Sequence, residues 1–287
     1  MVEDTENISE NTIRFTGNKN DINISFKGEY IRKGDVLLLS GSRISAVQTA
    51  ILASNGCVNP LVSIRPRVGI IATGSELIEP DRKPSICKIR NSNGFQLAAQ
   101  VATIGAIITN FGIVADNKKS LDQVFEKALK ENNIVISSGS ISEGECDFVR
   151  DIIRTGVKIL FEKIAVNPGR PMVFGVSDKA LCFGMPGNPV SNFIMFELLA
   201  KPLLFSMIRY DSKPVSTHMQ LEKTIERNHV KRDLWLPVRF NDKGNVTSVK
   251  YYGSGHINAF CKTDGLLCIP AWVTEITKGA IVNIRLI

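Results

Sequence analysis

Residues 67–76 read Arg-Val-Gly-Ile-Ile-Ala-Thr-Gly-Ser-Glu, a charged residue, five apolar or small ones, and then a glycine-bearing turn. A short apolar run without polar alternation is what a parallel strand covered on both faces needs. The segments downstream keep to the same plan. Leu97, Val101 and Ile104 mark one face of a helix starting near Asn93, and Ile107–Val114 is the next strand. Leu121, Val124, Phe125, Ala128 and Leu129 recur at the spacing of a buried helical face. Ile134–Ser137 is a third strand, Asp147–Arg154 a short helix, and Val173–Gly175 and Leu181–Met185 add strands before a long helix from Pro189. Strand–helix alternation of this kind predicts a three-layer α/β/α domain over residues 67–212, with a mostly parallel sheet.

Either side of this region the pattern changes. Residues 213–287 lose the alternation. His218–Ile225, Leu234–Phe240, Val246–Tyr252, Gly265–Ile269 and Ala280–Leu286 read as strands of a small all-β domain. Residues 1–66 carry two short β segments, Thr12–Phe15 and Ile22–Phe26, and a helical pattern opened by Ser45 and closed by Asn55-Gly56. Too few apolar positions lie there for an independent core.

Composition narrows the function classes. With 44% hydrophobic and 22% charged residues, the chain is neither disordered nor a membrane bundle. The greasiest stretch, Phe193–Phe205, is interrupted by Glu197, Lys201 and Pro202, so no membrane span is expected. The opening Met-Val-Glu-Asp-Thr-Glu is acidic and has no apolar stretch of a secretory signal, so the expected compartment is the cytoplasm. The net charge of +7 is spread thinly along the chain. Without a basic stripe and interleaved aromatics, nucleic acid is not an expected partner, and a small anionic substrate fits better. Six scattered cysteines without a C-x-x-C pair read as reduced core thiols, and three histidines give little material for a histidine metal centre or triad.

Ligands of open α/β sheets bind beyond the carboxyl ends of the strands. Those positions hold Thr73-Gly74-Ser75-Glu76, Asp116, Ser138-Gly139 with Gly144 and Asp147, and Pro186-Gly187-Asn188-Pro189. Two are strand–glycine-turn–helix junctions, where backbone N–H groups can approach an anion. Glu76, Asp116 and Asp147 place carboxylates at one edge, a donor set suited to Mg²⁺ beside phosphate oxygens. Downstream, Lys163 and Arg170 bring cations around a rigid turn. Each piece also has a plain structural reading: Asp147 as a helix cap, Thr73-Gly74 as a tight turn, Pro189 as the first residue of a helix. Their convergence points to a phosphate-bearing small anion with Mg²⁺.

Val68-Gly-Ile-Ile-Ala-Thr-Gly-Ser-Glu-Leu77, Arg90-Asn-Ser-Asn93, Val135-Ile-Ser-Ser-Gly139 with Gly144-Glu-Cys-Asp147, Asn167-Pro-Gly-Arg-Pro171 and Gly184-Met-Pro-Gly-Asn-Pro-Val-Ser191 together resemble the molybdopterin molybdenumtransferases, and so the E domain of gephyrin. The central region alone also resembles molybdopterin adenylyltransferases and competence-damage-inducible proteins. Gly253-Ser-Gly-His256 in the β region favours the transferases. The resemblance implies Mg²⁺-dependent insertion of molybdate into adenylylated molybdopterin, with AMP leaving. It implies roles for Glu76, Asp116 and Asp147 as catalytic and metal-binding acids. Thr73, Gly74, Ser138, Gly139, Gly144, Pro186, Asn188, Pro189 and Ser191 would bind substrate, and Lys163, Asn167, Arg170, Pro171, Arg232 and Ser254 would hold the oxyanion. It further implies a homodimer. The family's N-terminal region has no counterpart before Met1, so a separate N-terminal fragment or an adenylyltransferase would be a partner. Where relatives carry Lys-Pro-Gly-Lys, this chain has Asn167-Pro-Gly-Arg170, with one cation fewer. Two alternatives stand beside this reading: a molybdopterin adenylyltransferase, and an inactive molybdopterin-binding scaffold.

Overall fold

The computed structural model describes residues 2–17, 25–115, 117–139 and 155–287. The chain divides into two compact units, residues 1–58 and 59–287. The first contains an antiparallel hairpin, β1 (Thr5–Ser9) and β2 (Thr12–Phe15), and helix α1 (Ala46–Ser54). The β1 strand was not expected, because Thr-Glu-Asn-Ile-Ser carries almost no apolar signal. Of the expected segment Ile22–Phe26, residues 22–24 lie outside the described residues and Ser25-Phe26 is not in a strand. Helix α1 follows its end signals: the Ser45 N–H donates to Gln48 Oε1 at 3.2 Å, and Gly56 closes the C-terminus at φ +73°. None of the described residues of this unit is buried.

The second unit opens with β3 (Arg67–Thr73), a short parallel ladder of β4 (Leu77–Ile78) with β5 (Ile89–Arg90), helix α2 (Asn93–Ala102) and β6 (Ile107–Val114). Helix α3 (Lys118–Glu131) and β7 (Ile134–Ser138) follow, then β8 (Lys158–Lys163), β9 (Val166–Asn167), β10 (Pro171–Val176) and β11 (Leu181–Met185). Strand order in the first six-stranded sheet is β6-β3-β7-β11-β10-β8. The first four strands run parallel; β10 is antiparallel to both of its neighbours. Alternate residues of β3 and β7 feed two cores. Val68, Ile70, Ile134 and Ile136 pack with α2 and α4 (Pro189–Met207), while Ile71 and Val135 pack with α3. This is the expected three-layer arrangement. Strand β8 was not expected; its Lys-Ile-Leu-Phe-Glu-Lys pattern, charged at both ends, is that of an edge strand.

Helix α4 is 19 residues, long and apolar enough by length and composition to cross a membrane, and half of its most apolar window is buried in the protein. Val190, Ile194, Met195, Phe196, Ala200 and Leu204 are fully buried in the core between sheet and helices. A π-helical turn over Phe196–Ala200 lies in its middle.

The C-terminal region holds β12 (Ser216–Leu221), β13 (Ile225–Glu226), β14 (Asp233–Phe240), β15 (Asn245–Ser248), β16 (Gly265–Ile269), β17 (Glu275–Ile276) and β18 (Ile281–Leu286). Strand order is β15-β12-β18-β16-β14, and β14 pairs back onto β15, so the five strands close into a small barrel with no free edge among themselves. The barrel interior is Leu221, Val238, Val246, Leu267, Ile269, Val282 and Ile284. Two of the expected strands end early: β12 stops at Leu221, with Ile225 moved into a separate pair with β17, and β15 stops at Ser248. Strand β9, from within the α/β region, adds to the outer edge of β14. Of the cysteines expected in the core, only Cys182 is buried and Cys268 is partly so. Cys57, Cys87 and Cys261 are exposed, since each sits in a turn or short helix outside the packed sheets, and Cys146 lies outside the described residues.

Candidate functional site

Strands β3, β7 and β11 are adjacent in register and end together at Thr73, Ser138 and Met185. Each is followed by a glycine-bearing turn, and the first two turns need their glycine. Gly139 has φ +147°, and a Cβ there would lie 1.9 Å from the Thr73 carbonyl oxygen, so the two backbones meet with no room for a methyl group. Gly187 faces the same point, its would-be Cβ 3.8 Å from the Gly139 backbone. At Gly74 (φ +148°) a Cβ would meet the Glu76 carboxylate at 2.6 Å; the acid folds back over its own turn and stays solvent-exposed.

The polar groups beneath these turns are organised by two asparagines. The Ser138 hydroxyl accepts the Nδ2 amides of Asn93 and Asn192, each at 2.9 Å. Asn93 Nδ2 also reaches the Gly187 carbonyl at 2.7 Å, and Asn192 Nδ2 the Pro186 carbonyl at 3.1 Å. Three neighbouring buried oxygens, Thr73 Oγ1, Ser137 Oγ and Asn93 Oδ1, have no hydrogen-bond partner among the described residues. Buried polar groups are nearly always paired, and three of the six orphans among the described residues stand at this edge, the others being Asp122 Oδ1, Asn132 Oδ1 and Arg227 Nε elsewhere in the fold. At the start of α4, Asn188 is the N-cap and Pro189 the first helical residue, and the Val190 N–H donates to the Ser254 carbonyl at 2.9 Å. That bond brings the Gly253-Ser254-Gly255 loop of the barrel onto the same edge.

Further along, Lys163 at the end of β8 pairs with Pro171 at the start of β10, and both lie on the edge where β11 ends. The Asn167–Pro168 peptide is cis, and Gly169 (φ +121°) presses on α4, where a Cβ would lie 2.7 Å from the Met195 sulfur. Asn167 pairs with Leu234, and the Asp233 N–H donates to the Ala165 carbonyl at 3.0 Å, which sets Arg232 beside the turn. Four strand spacings of about 4.8 Å separate Thr73 from Lys163, roughly 19 Å in all.

The expected site residues therefore fall into two groups on one edge. Thr73, Gly74, Glu76, Ser138, Gly139, Pro186, Asn188, Pro189, Ser191 and Ser254 surround the glycine turns. Lys163, Asn167, Arg170, Pro171 and Arg232 surround the cationic turn, with Lys163 and Arg170 exposed. Asp116, Gly144 and Asp147 lie outside the described residues. Among the described residues no group of three or more His, Cys, Asp or Glu could hold a metal. Asn192, Asn93 and the Gln96–Gln100–Glu197 row behind them, with Gln96 half-buried and the other two buried, were missed as site residues. Asn93 stood in a quoted motif. The available signal for Asn192 was a polar residue inside an otherwise apolar helical segment.

Comparison with known proteins gives this edge a context. Residues 69–206 match the family described as a probable molybdopterin binding domain, and residues 224–287 match the MoeA C-terminal region (domain IV). The chain is 38% identical over 268 residues to a molybdopterin molybdenumtransferase of Staphylococcus epidermidis, covering 92% of this chain and 64% of that protein. A Haemophilus influenzae molybdopterin molybdenumtransferase is 29% identical over 271 residues, covering 92% of this chain and 66% of its own length. Over 92% of its length the chain is thus similar to the molybdopterin molybdenumtransferases. A crystal structure of a molybdopterin biosynthesis MoeA protein from Pyrococcus horikoshii superposes with a TM-score of 0.78 at 27% identity, covering 99% of this chain and 70% of that one. This chain thus spans just under two thirds of the curated molybdenumtransferases it matches. The edge lies within the matched regions, and Ser254 and Arg232 come from the second of them.

Proposed function

We propose that the chain works in the cytoplasm as the molybdate-handling part of a molybdopterin molybdenumtransferase. It receives adenylylated molybdopterin and molybdate, and AMP leaves. The observation that carries this reading is a single sheet edge with orphaned buried oxygens at one end and exposed cations at the other. A length of roughly 19 Å suits an extended pterin–pyrophosphate–nucleoside ligand better than a compact one.

In this reading the Thr73-Gly74, Ser138-Gly139 and Pro186–Pro189 turns bind the phosphate-bearing substrate through backbone N–H groups and hydroxyls. Lys163, Arg170 and Arg232 hold molybdate, with Asn167 donating its amide in place of a second lysine in the turn. The Glu76 carboxylate and the Thr73 hydroxyl, which has no partner among the described residues, are hard oxygens of the type Mg²⁺ takes, and one or two carboxylates with substrate phosphates suffice for it. They fit the ion, and Asp116 and Asp147 complete the proposed set. When bound, Mg²⁺ would neutralise charge building on the phosphoanhydride oxygens. The barrel's contribution, the Ser254 carbonyl on α4 and Arg232 beside the Asn167 turn, favours the transferase over the adenylyltransferase alternative, which gives the barrel no role. A second copy of the chain is the proposed partner of the first unit, where Ile13, Phe15, Phe26, Tyr30, Val36 and Leu39 stand exposed. A separate N-terminal fragment or an adenylyltransferase that hands over the substrate remains a further proposed partner.

The test is a turnover assay with adenylylated molybdopterin. AMP release that requires both molybdate and Mg²⁺ supports the proposal. Formation of the adenylyl adduct from ATP and free molybdopterin would move the assignment to the adenylyltransferase. Tight molybdopterin binding without turnover, even with a supplied N-terminal fragment, would make the chain a scaffold.

A further inference from the structure

A row of buried amides runs away from the glycine turns along the interface of α2 and α4. Asn192 Oδ1 accepts the Gln96 side-chain amide at 3.3 Å, and the same nitrogen reaches Gln100 Oε1 at 3.3 Å. Gln100 in turn donates to Glu197 Oε1 at 3.0 Å, and Lys201 closes the row on Glu197 Oε2 at 2.6 Å. Asn192, Glu197, Gln100 and Ser138 are 0%, 5%, 7% and 2% exposed, while Gln96 and Lys201 are half-buried, so water is kept from the two ends of the Asn192–Ser138 and Gln100–Glu197 bonds.

The row has a direction, set by chemistry. A carboxylate only accepts, so Glu197 requires the nitrogen of Gln100 to face it. That turns the Gln100 oxygen toward Gln96, which must present its nitrogen. Because Gln96 offers a donor to Asn192 as well, Asn192 can only present its oxygen there and its nitrogen to Ser138. A flipped Asn192 would set N–H against N–H in a dry interior. At the end of the row, Ser138 has a hydroxyl with two lone pairs and one proton. Asn192 and Asn93 occupy both lone pairs. The hydroxyl is left with its proton as its remaining function, polarised by the bonds behind it.

We infer that Asn192 is a positioning residue that fixes the Ser138 hydroxyl as a one-way donor toward an acceptor oxygen of the substrate. By also holding the Pro186 carbonyl, Asn192 ties the β7 and β11 turns at a set separation. This rests on the reading of the edge as a molybdopterin site. The substrate atom concerned is an acceptor, a phosphate or pterin carbonyl oxygen, and not an amino group.

A double-mutant cycle on the full chain tests it, with molybdopterin affinity read by pterin fluorescence. Asn192→Asp keeps the shape and removes the donor; Ser138→Ala removes the hydroxyl. Each is expected to weaken binding about tenfold, and the double variant about tenfold as well, because both act through one group. Independent losses multiplying to about a hundredfold, or unchanged affinity in Asn192→Asp, would overturn the inference. Hydrogen exchange without ligand decides the case in which the wild-type chain binds no molybdopterin, which would sink the site reading but not the clamp. Asn192→Asp should then speed exchange at the amides of Ser137, Ser138, Gly139, Gly187 and Asn188 more than elsewhere. Uniform acceleration, or none, would overturn the clamp too.

Discussion

The two ends of the candidate site are built on opposite principles. At the β3–β7–β11 end, the exposed Glu76 carboxylate apart, the groups are neutral, buried and locked: a glycine pressed on the Thr73 backbone, and a serine held by two amides. At the β8–β10 end the groups are charged and exposed, carried on an edge strand and a turn. A neutral, dry site discriminates by shape, because a misplaced atom meets backbone or an unsatisfied dipole. An exposed cationic site discriminates by charge, at the cost of screening by salt. A ligand spanning both would be recognised by outline at one end and by valence at the other.

The comparison breaks most sharply at Gly139. Gly139→Ala places a methyl group 1.9 Å from the Thr73 carbonyl, so strand ends must separate or the turn must unfold. We expect loss of measurable molybdopterin binding and a stability cost of about 3 kcal/mol or more, read by denaturant unfolding and fluorescence titration. Retained binding would show that the neutral end is not set by close backbone approach. At the other end, Arg170→Ala should weaken molybdate binding about tenfold, because arginine offers a fork of donors matched to an oxyanion. Calorimetry at two ionic strengths checks it; the loss should shrink as salt rises, whereas the effect of Gly139→Ala should not. Asn167→Lys is smaller and opposite in sign. An added exposed cation is worth about 1 kcal/mol or less, so molybdate affinity should rise several-fold at low salt and converge on wild type at high salt.

The mildest perturbation uses thiols. Burial pushes the Cys182 thiol, near the start of β11 and paired with Val135 of β7, up to about 12. It stays protonated in the folded chain at pH 9, where an unfolded cysteine is about half ionised. Alkylation at pH 8–9 should therefore spare Cys182 while modifying Cys57, Cys87 and Cys261, which are exposed. Because the folded pKa is the higher one, any stability linked to this thiol is present below about pH 9 and lost as pH climbs toward 12. Rapid labelling of Cys182 would mean that β11 opens readily.

Legibility in sequence followed the same division. Strands β3, β7 and β11 were readable because parallel strands buried on both faces leave continuous apolar runs, each ending at a marked turn, and the edge strand β6 was readable from its apolar ends, Ile107-Ile108 and Ile113-Val114. Strand β8 was not, because an edge strand with lysine at both ends resembles a surface loop. Strand β9 is two residues long and exists through its pairing with β14, some 67 positions later, which no local pattern encodes. The glycine turns were visible as motifs. The Asn192 clamp was not, since its partners lie 54 and 96 positions away. The Ser254 contact uses a backbone carbonyl, which carries no residue signature at all.

Strand β9 has one more consequence, for how this architecture can be inherited or taken apart. The chain crosses into the barrel's sheet at Val166–Asn167 and returns before the barrel itself has been made. A gene cut between the two matched regions would thus yield a piece with its glycine turns intact and its cationic turn unmoored. The cationic turn can keep its place only with the barrel, because its strand has no other sheet partner there.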